Sequence, residues 1–207
     1  DKAIMLPTGF KKEMELMMEA AEGIFGGKEA LLEKPRMIAL INTVSPLTLD
    51  ERMLDCLMLL AQYGQPVILC PATMLGATGS LSMAGSLASG TAEDLAGIAL
   101  AQMIRPGTPV VFGIQSTAAD MRGGITFACA APEGTKMQGF AARMGKFYGM
   151  PSRGGGCQTD APVINCQAGY ESMLTFSSAY RHGINLIMEA GGVMDSVNAT
   201  SFEKMII

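Results

Sequence analysis

"RMIALINTVSPLTLDERMLDCLMLLAQYGQPVILCPAT", residues 36–73, holds one complete strand–helix–strand unit, and its reading sets the class of the whole chain. Residues 36–44 form a continuous apolar run that ends in polar residues, the mark of a strand buried on both faces of a parallel sheet. Residues 47–64 carry apolar side chains at helical spacing, with Thr48 expected as N-cap and Gly64 as the stop. Residues 66–73 return to an uninterrupted apolar run, the second strand.

The same alternation extends in both directions. Upstream, residues 11–25 are spaced as a helix that Gly26 and Gly27 end, so residues 1–35 read as a helical lead-in. Downstream come a small-residue loop, a helix over 91–107, a strand over 108–115 and a helix over 133–149. A strand starting near 151, a helix over 167–183 and a strand over 184–192 follow, and "SFEKMII" (201–207) is read as the start of a sixth strand. Alternating strands and helices predict a parallel sheet with helices outside it. Two architectures compete, the doubly wound open sheet and the (β/α)8 TIM barrel. No strand is followed by G-x-G-x-x-G or by G-x-x-x-x-G-K-[ST], the signatures of the nucleotide-binding open sheet. The Gly-rich polar segments all follow strand C-termini, as on the catalytic face of a barrel. The expectation is α/β, a (β/α)8 TIM barrel of which residues 1–207 supply about five to six units of a single domain, with no second domain. An open parallel edge favours self-association, so a homo-oligomer is expected.

Composition narrows the function classes. Of 207 residues 49% are apolar and only 16% charged, against about 25% charged in typical soluble domains. Mean hydropathy is +0.29, yet no apolar run approaches the roughly 20 residues a membrane span needs. Net charge is −4 with scattered Lys and Arg, which argues against nucleic acid. No signal peptide is visible, and five cysteines without a C-x-x-C read as reduced thiols of a cytoplasmic protein.

The chemistry is expected in the loops after the strands. There the polar groups converging on one face are Asn42, Ser45, Thr73, Gln115, Asp120, Arg122, Arg153, Gln158, Asp160 and Glu189. For Asp120, Arg122 and Asp160 loop-stapling ion pairs and helix caps are the competing role. The densest stretch, "PSRGGGCQTDAPVINCQAGYE" (151–171), fits poorly as a phosphate cradle because Asp160 and two prolines oppose an anion there. Cys157, Cys166 and His182 lack zinc spacing, and His182 beside Gly183 reads as a helix-end residue, so no metal is expected. One histidine in the chain also argues against a nucleophile–histidine pair. Carboxylate acid–base work stays open, and the loops look built for close approach and positioning.

"SPLTLDERMLDCLMLLAQYGQPVILCPATMLGATGSLSMAGSLASGTAEDLAGIALAQ", followed in order by "DMRGG", "YGMPSRGGGCQTDAPVINCQAGYES" and "INLIMEAGGVMDSVNATSFEKMI", resembles the trimethylamine methyltransferase family of corrinoid-dependent enzymes. The resemblance covers roughly residues 35–207, and family members are about twice this length. It implies a (β/α)8 barrel whose mouth accepts a methylated amine and docks a separate corrinoid protein. The Co(I) of that partner takes a methyl group, giving methyl-Co(III) and a demethylated amine, so no cofactor is bound directly. The archaeal members carry pyrrolysine, which is absent here; its equivalent would lie around Gly155 to Gln158. The branch without it resembles glycine betaine methyltransferase, with quaternary amines as substrates. Such a substrate leaves as a neutral amine without protonation, so the site must hold a cation, aim one methyl and exclude water.

On that reading Gln158, Asp160 and Glu189 are the catalytic candidates. Asn42, Ser45, Gln115, Asp120, Arg122, Arg153, Gly155, Gly156 and Tyr170 are the candidates for substrate binding. Arg153 or Arg122 would take a substrate carboxylate bidentately. Phe112, Phe127, Phe147, Tyr148 and Tyr170 are rings that could face a cation, most of them expected in the core. The glycines of 154–156 would let substrate and corrinoid approach the backbone. The alternatives are a non-catalytic binding portion of a barrel protein, or a barrel enzyme of other chemistry; a lyase or aldolase would want a strand-end lysine, and the five strands offer none.

Overall fold

In the computed structural model residues 4–122 and 127–206 are described. Gly123 and Gly124 of "DMRGG", together with Ile207, lie outside them. The chain opens with β1 (Ile4–Leu6), α1 (Lys11–Phe25) and α2 (Lys28–Glu33), then β2 (Met37–Asn42), α3 (Glu51–Gln62), β3 (Val67–Cys70) and a short β4 (Met74–Leu75). There follow α4 (Met83–Ile104), β5 (Val110–Phe112), β6 (Thr117–Ala119), β7 (Phe127–Ala128), α5 (Pro132–Phe147) and β8 (Arg153–Gly155). Last come α6 (Cys166–His182), β9 (Leu186–Met188), β10 (Val193–Met194), β11 (Ala199–Thr200) and α7 (Phe202–Ile206).

The result is a mixed α/β fold with parallel sheets. One sheet has the order β1-β2-β3-β5, all parallel. A parallel bridge between Phe112 and Ser152 carries the pairing on to the β8-β9 pair, which is parallel too. The parallel strands therefore succeed one another in chain order, without the reversal that makes a switch point in a doubly wound sheet. In the parallel succession the strand missed by the sequence pattern is β1, only three residues long, so the lead-in is a β/α unit of its own; the short β4, β6, β7, β10 and β11 also lie outside the expected strands. The sixth parallel strand is thus at the start of the chain; residues 202–206, read as its beginning, are helical instead.

Helix boundaries follow local chemistry. Asp50, not Thr48, caps α3 by accepting the Met53 amide at 3.2 Å, because the intervening residues leave the strand as an irregular loop. Met53, Cys56, Leu57, Leu60 and Ala61 recur at helical spacing and face inward. Helix α4 starts eight residues before the expected Thr91 (at Met83), capped by Ser82 accepting the Gly85 amide at 3.1 Å. Its Gly- and Ser-rich first turns disguise it as loop, but small residues are what the packing needs: a Cβ on Gly90 would stand 3.3 Å from Ile114. Helix α6 is capped by Asn165 and ends at Gly183, whose φ of +67° is the left-handed region that favours glycine.

The main core lies between α1, α3 and α4 and the sheet, with Met14, Leu31, Ile41, Leu57, Leu60, Leu69, Phe112 and Ile114 at its centre. Burying each such side chain stabilises the fold by about 1.5–3 kcal/mol. Beyond the C-terminal ends of β3 and β5 sits a second layer, in which β4 runs parallel to β6 and β6 antiparallel to β7. After β9 the chain adds the antiparallel β10–β11 pair. No helix among the described residues is long and apolar enough to cross a membrane.

Candidate functional site

Arg153, the first residue of β8, is fully buried. A guanidinium keeps its charge at any physiological pH, so its burial demands partners on every side. Its Nε donates to Met188 Sδ at 3.2 Å, and one terminal nitrogen donates to Cys70 Sγ at 3.3 Å and to Gln115 Oε1. The other donates to Glu189 Oε1, forming an ion pair in which the arginine is 0% and the glutamate 17% exposed. Gln158 Nε2 donates to the second oxygen of Glu189 at 3.3 Å. Cys70 at the end of β3 and Gln115, Gln158 and Glu189 just after β5, β8 and β9 thus meet around Arg153, which enters from the start of β8.

Electrostatics here are a contest between desolvation and pairing. Burial pushes the Glu189 carboxyl above its ordinary value, and the neighbouring Arg153 charge pulls it back only in part. Burial likewise raises the Cys70 thiol, so it stays protonated as a neutral partner. Glu189 has φ +58° and Cys157 has φ +54°, left-handed conformations that cost non-glycine residues of order 1–3 kcal/mol. Both flank the buried Gln158, whose own amide donates to Thr175 Oγ1 at 3.1 Å.

Glycines make the crowding tolerable. A Cβ on Gly113 would meet the Leu69 carbonyl oxygen at 2.6 Å and the Arg153 Cβ at 3.3 Å. The Gly154–Gly156 run was expected to leave the backbone open to a ligand, but the protein fills that space itself. A Cβ on Gly154 would stand 3.1 Å from Gln138 Cγ and one on Gly156 2.6 Å from Ile187 Cγ2. Gln138 Nε2 is anchored by donating to the Gly155 carbonyl at 2.6 Å. The cavity left beside Gln115, Gln138, Gly155 and Gln158 measures about 10 Å³, room for no more than a water molecule.

The other candidates lie apart from this network. Asn42 is exposed at the end of β2. Ser45 donates at 2.8 Å to Glu93, a buried residue of α4 that also accepts from Thr43 Oγ1 and, at 2.8 Å, from the Leu47 amide. Asp120 and Arg122 pair with each other at 3.0 Å in solvent, and that contact holds the Asp120 carboxyl down to about 2. Asp160 accepts the Cys129 and Ala130 amides at 3.0 and 3.1 Å and the Ser196 hydroxyl at 2.8 Å, clamping the chain before α5 to the chain before β11. Thr73 bonds Ser116 beneath the second layer. Tyr170 is 79% exposed on α6. Of the five rings only Phe112 is fully buried; Phe147 and Tyr148 are exposed, against the expectation that most would be core, because they occupy the outer end of α5. His182 ends α6, its Nδ1 donating to the Ser178 carbonyl at 2.8 Å.

Three contributors escaped the reading of the loops because they sit inside elements: Cys70 in a strand, Gln138 and Asp94 in helices. Asp94 is fully buried, accepts the Gly113 amide at 2.9 Å on Oδ2, and has no partner for Oδ1 among the described residues. Burial raises its carboxyl well above the ordinary value, and Glu93 beside it adds to the effect. Two adjacent acids within the apolar stretch 86–101 were the legible signal. Among the described residues no three of His, Cys, Asp and Glu are grouped to hold a metal ion.

Comparison with known proteins bears on this arrangement. The family described as Trimethylamine methyltransferase (MTTB) matches residues 1–207. A glycine betaine methyltransferase of Desulfitobacterium hafniense (strain Y51) is 43% identical over 207 residues, 100% of this chain and 43% of the relative. A proline betaine:corrinoid methyltransferase of Eubacterium limosum is 34% identical over 174 residues, 83% of this chain and 36% of its own. Trimethylamine methyltransferase MttB of Methanosarcina barkeri (strain Fusaro / DSM 804) is 32% identical over 202 residues, 97% and 40% of the two chains. The chain spans about two fifths of the length of these relatives.

Proposed function

The chain belongs to the trimethylamine methyltransferase family, and from that membership we propose that it serves the transfer of a methyl group from a quaternary or tertiary methylamine of the glycine betaine type to a corrinoid protein. The acceptor is the Co(I) of a corrinoid carried by that separate protein, which supplies the nucleophile. The unreversed order of parallel strands supports reading them as an arc of a (β/α)8 barrel, with β2, β3, β5, β8 and β9 aiming their C-terminal ends at its mouth.

The observation that carries the reading is the buried Arg153–Glu189 pair, held by Gln115 and Gln158 at those strand ends. A quaternary ammonium departs as a neutral amine, so the step asks for no proton donor from the network. What the chain supplies is a placed negative charge and the exclusion of water. Glu189 is the candidate to face the ammonium. In the transition state positive charge is leaving the nitrogen, so a bare carboxylate would stabilise the substrate more than the transition state and slow the step. Pairing Glu189 with Arg153 limits that penalty. Four of the five N–H donors of Arg153 are engaged inside the protein, so a bidentate grip on a substrate carboxylate would have to come from another group. The small cavity beside Gln115 fits a network that forms one wall of the substrate site.

The test uses a full-length protein of the relatives' size together with its corrinoid protein reduced to Co(I). Glycine betaine, proline betaine, carnitine and trimethylamine are added separately while the cobalt absorbance is followed. Conversion with one of them names the substrate. A folded protein that converts none would end the proposal.

A further inference from the structure

We propose that the groove between α5 and α6 is a binding site for a small phosphate-bearing anion, independent of the strand-end network. The groove measures about 410 Å³, within the range of small-molecule sites. Lys136 and Arg143 reach it from α5, and Arg181 and His182 from α6. Its lining contains no carboxylate. Among the described residues no carboxylate lies within ion-pair distance of Lys136, Arg143 or Arg181. In a chain of net charge −4 with 19 acidic residues, three neighbouring cations left unpaired around one concavity are a concentrated positive field.

The groove is also built rather than incidental. Lys136 and Arg143 are seven residues apart, two helical turns, and so project on one side of α5. Between them lies Gly139, where a Cβ would stand 2.6 Å from His182 Nε2 and 2.8 Å from Cδ2; the absent side chain lets the ring lie against the backbone. Ser178 ties the two helices together by donating to the Thr135 carbonyl at 2.9 Å. Lys146 closes the lower end by donating to the His182 carbonyl at 3.0 Å. Two arginine forks and a lysine match the oxygens of a phosphate better than those of a single carboxylate, and exposed Phe140 and Leu174 beside them offer apolar contact to the organic part of a phosphorylated molecule.

The experiment is calorimetric titration of pyrophosphate and of ADP into the full-length protein, with the ring signals of His182 followed by NMR. Saturable binding is expected, with the His182 signals shifting along the same isotherm. Arg143→Gln combined with Arg181→Gln should weaken it at least about tenfold, since each removes charge-assisted bonds. Both side chains are solvent-exposed, so the variant keeps the fold, which an unchanged melting temperature would verify. Methyl transfer is not needed for the readout, so failure of the proposed reaction leaves this result intact. Absence of saturation at millimolar anion, equal affinity in the double variant, or binding only to vesicles of phosphatidic acid would overturn the assignment.

Discussion

Replacing Asp94 by Asn should make the protein more stable at neutral pH, and the gain should grow with pH. Asp94 is fully buried, with the Gly113 amide on one oxygen and, among the described residues, no partner on the other. Desolvation holds its carboxyl well above the ordinary range, so the folded chain keeps a proton that the unfolded chain releases. The sign follows: the contribution to stability is complete below the unfolded value and is lost as pH rises toward the folded one. One proton changes stability by about 1.4 kcal/mol per pH unit, which is about 2.7 kcal/mol between pH 5 and pH 7 if Asp94 stays neutral throughout. Asparagine removes the titration and leaves an amide donor without a partner, a constant cost of about 1–3 kcal/mol. The difference between variant and parent should therefore start near zero or unfavourable at pH 5 and climb at about 1.4 kcal/mol per unit. Urea unfolding of both proteins across that range measures it, and titrating groups not coupled to Asp94 cancel in the difference. A flat difference would show that Asp94 is ionised in the fold, and the burial argument would be wrong.

Removing the guanidinium in Arg153→Met should cost about 3–5 kcal/mol, because it strands the Glu189 carboxylate; adding Glu189→Gln should restore part of that in urea unfolding, and no recovery would argue against coupling. Glu93→Ala deletes the acceptor of Thr43, Ser45 and Leu47, so the Leu47 amide should exchange faster with deuterium and stability should fall by about 3 kcal/mol. Gly113→Ala places a Cβ against the Leu69 carbonyl and should destabilise by about 1–3 kcal/mol, seen as a lowered Tm. Asp120→Asn breaks only a solvated ion pair, and its melting temperature should match the parent's.

The parallel α/β pattern was legible because buried strands such as Val67–Cys70 are unbroken apolar runs and α3 repeats its apolar residues at helical spacing. β1 was not, since three residues cannot display a period. The first turns of α4 were hidden by glycine and serine, residues whose local preference is for turns and which only tight packing against Ile114 and its neighbours turns into helix. Gln115, Gln158 and Glu189 could be named from their places after strands; Arg153, expected in the loop after the fourth strand, instead begins β8, and the joining of all four needed the register of the strands. Asp160 and Asp120 carry the same residue type in the same kind of loop, and sequence offers no means of telling a loop clamp or a solvated pair from a member of the network. Cys70, Gln138 and Asp94 face inward from regular elements, where polar side chains look like noise in an apolar pattern.

The layer formed by β4, β6 and β7 has a consequence for how this protein can change. Its strands belong to two different connections, one leaving β3 and one leaving β5, and Thr73 from the first bonds Ser116 from the second. Those connections are therefore not separable cassettes. A swap or length change in either leaves the other without its hydrogen-bonding partner, so new specificity at this end of the molecule has to be introduced into both connections together.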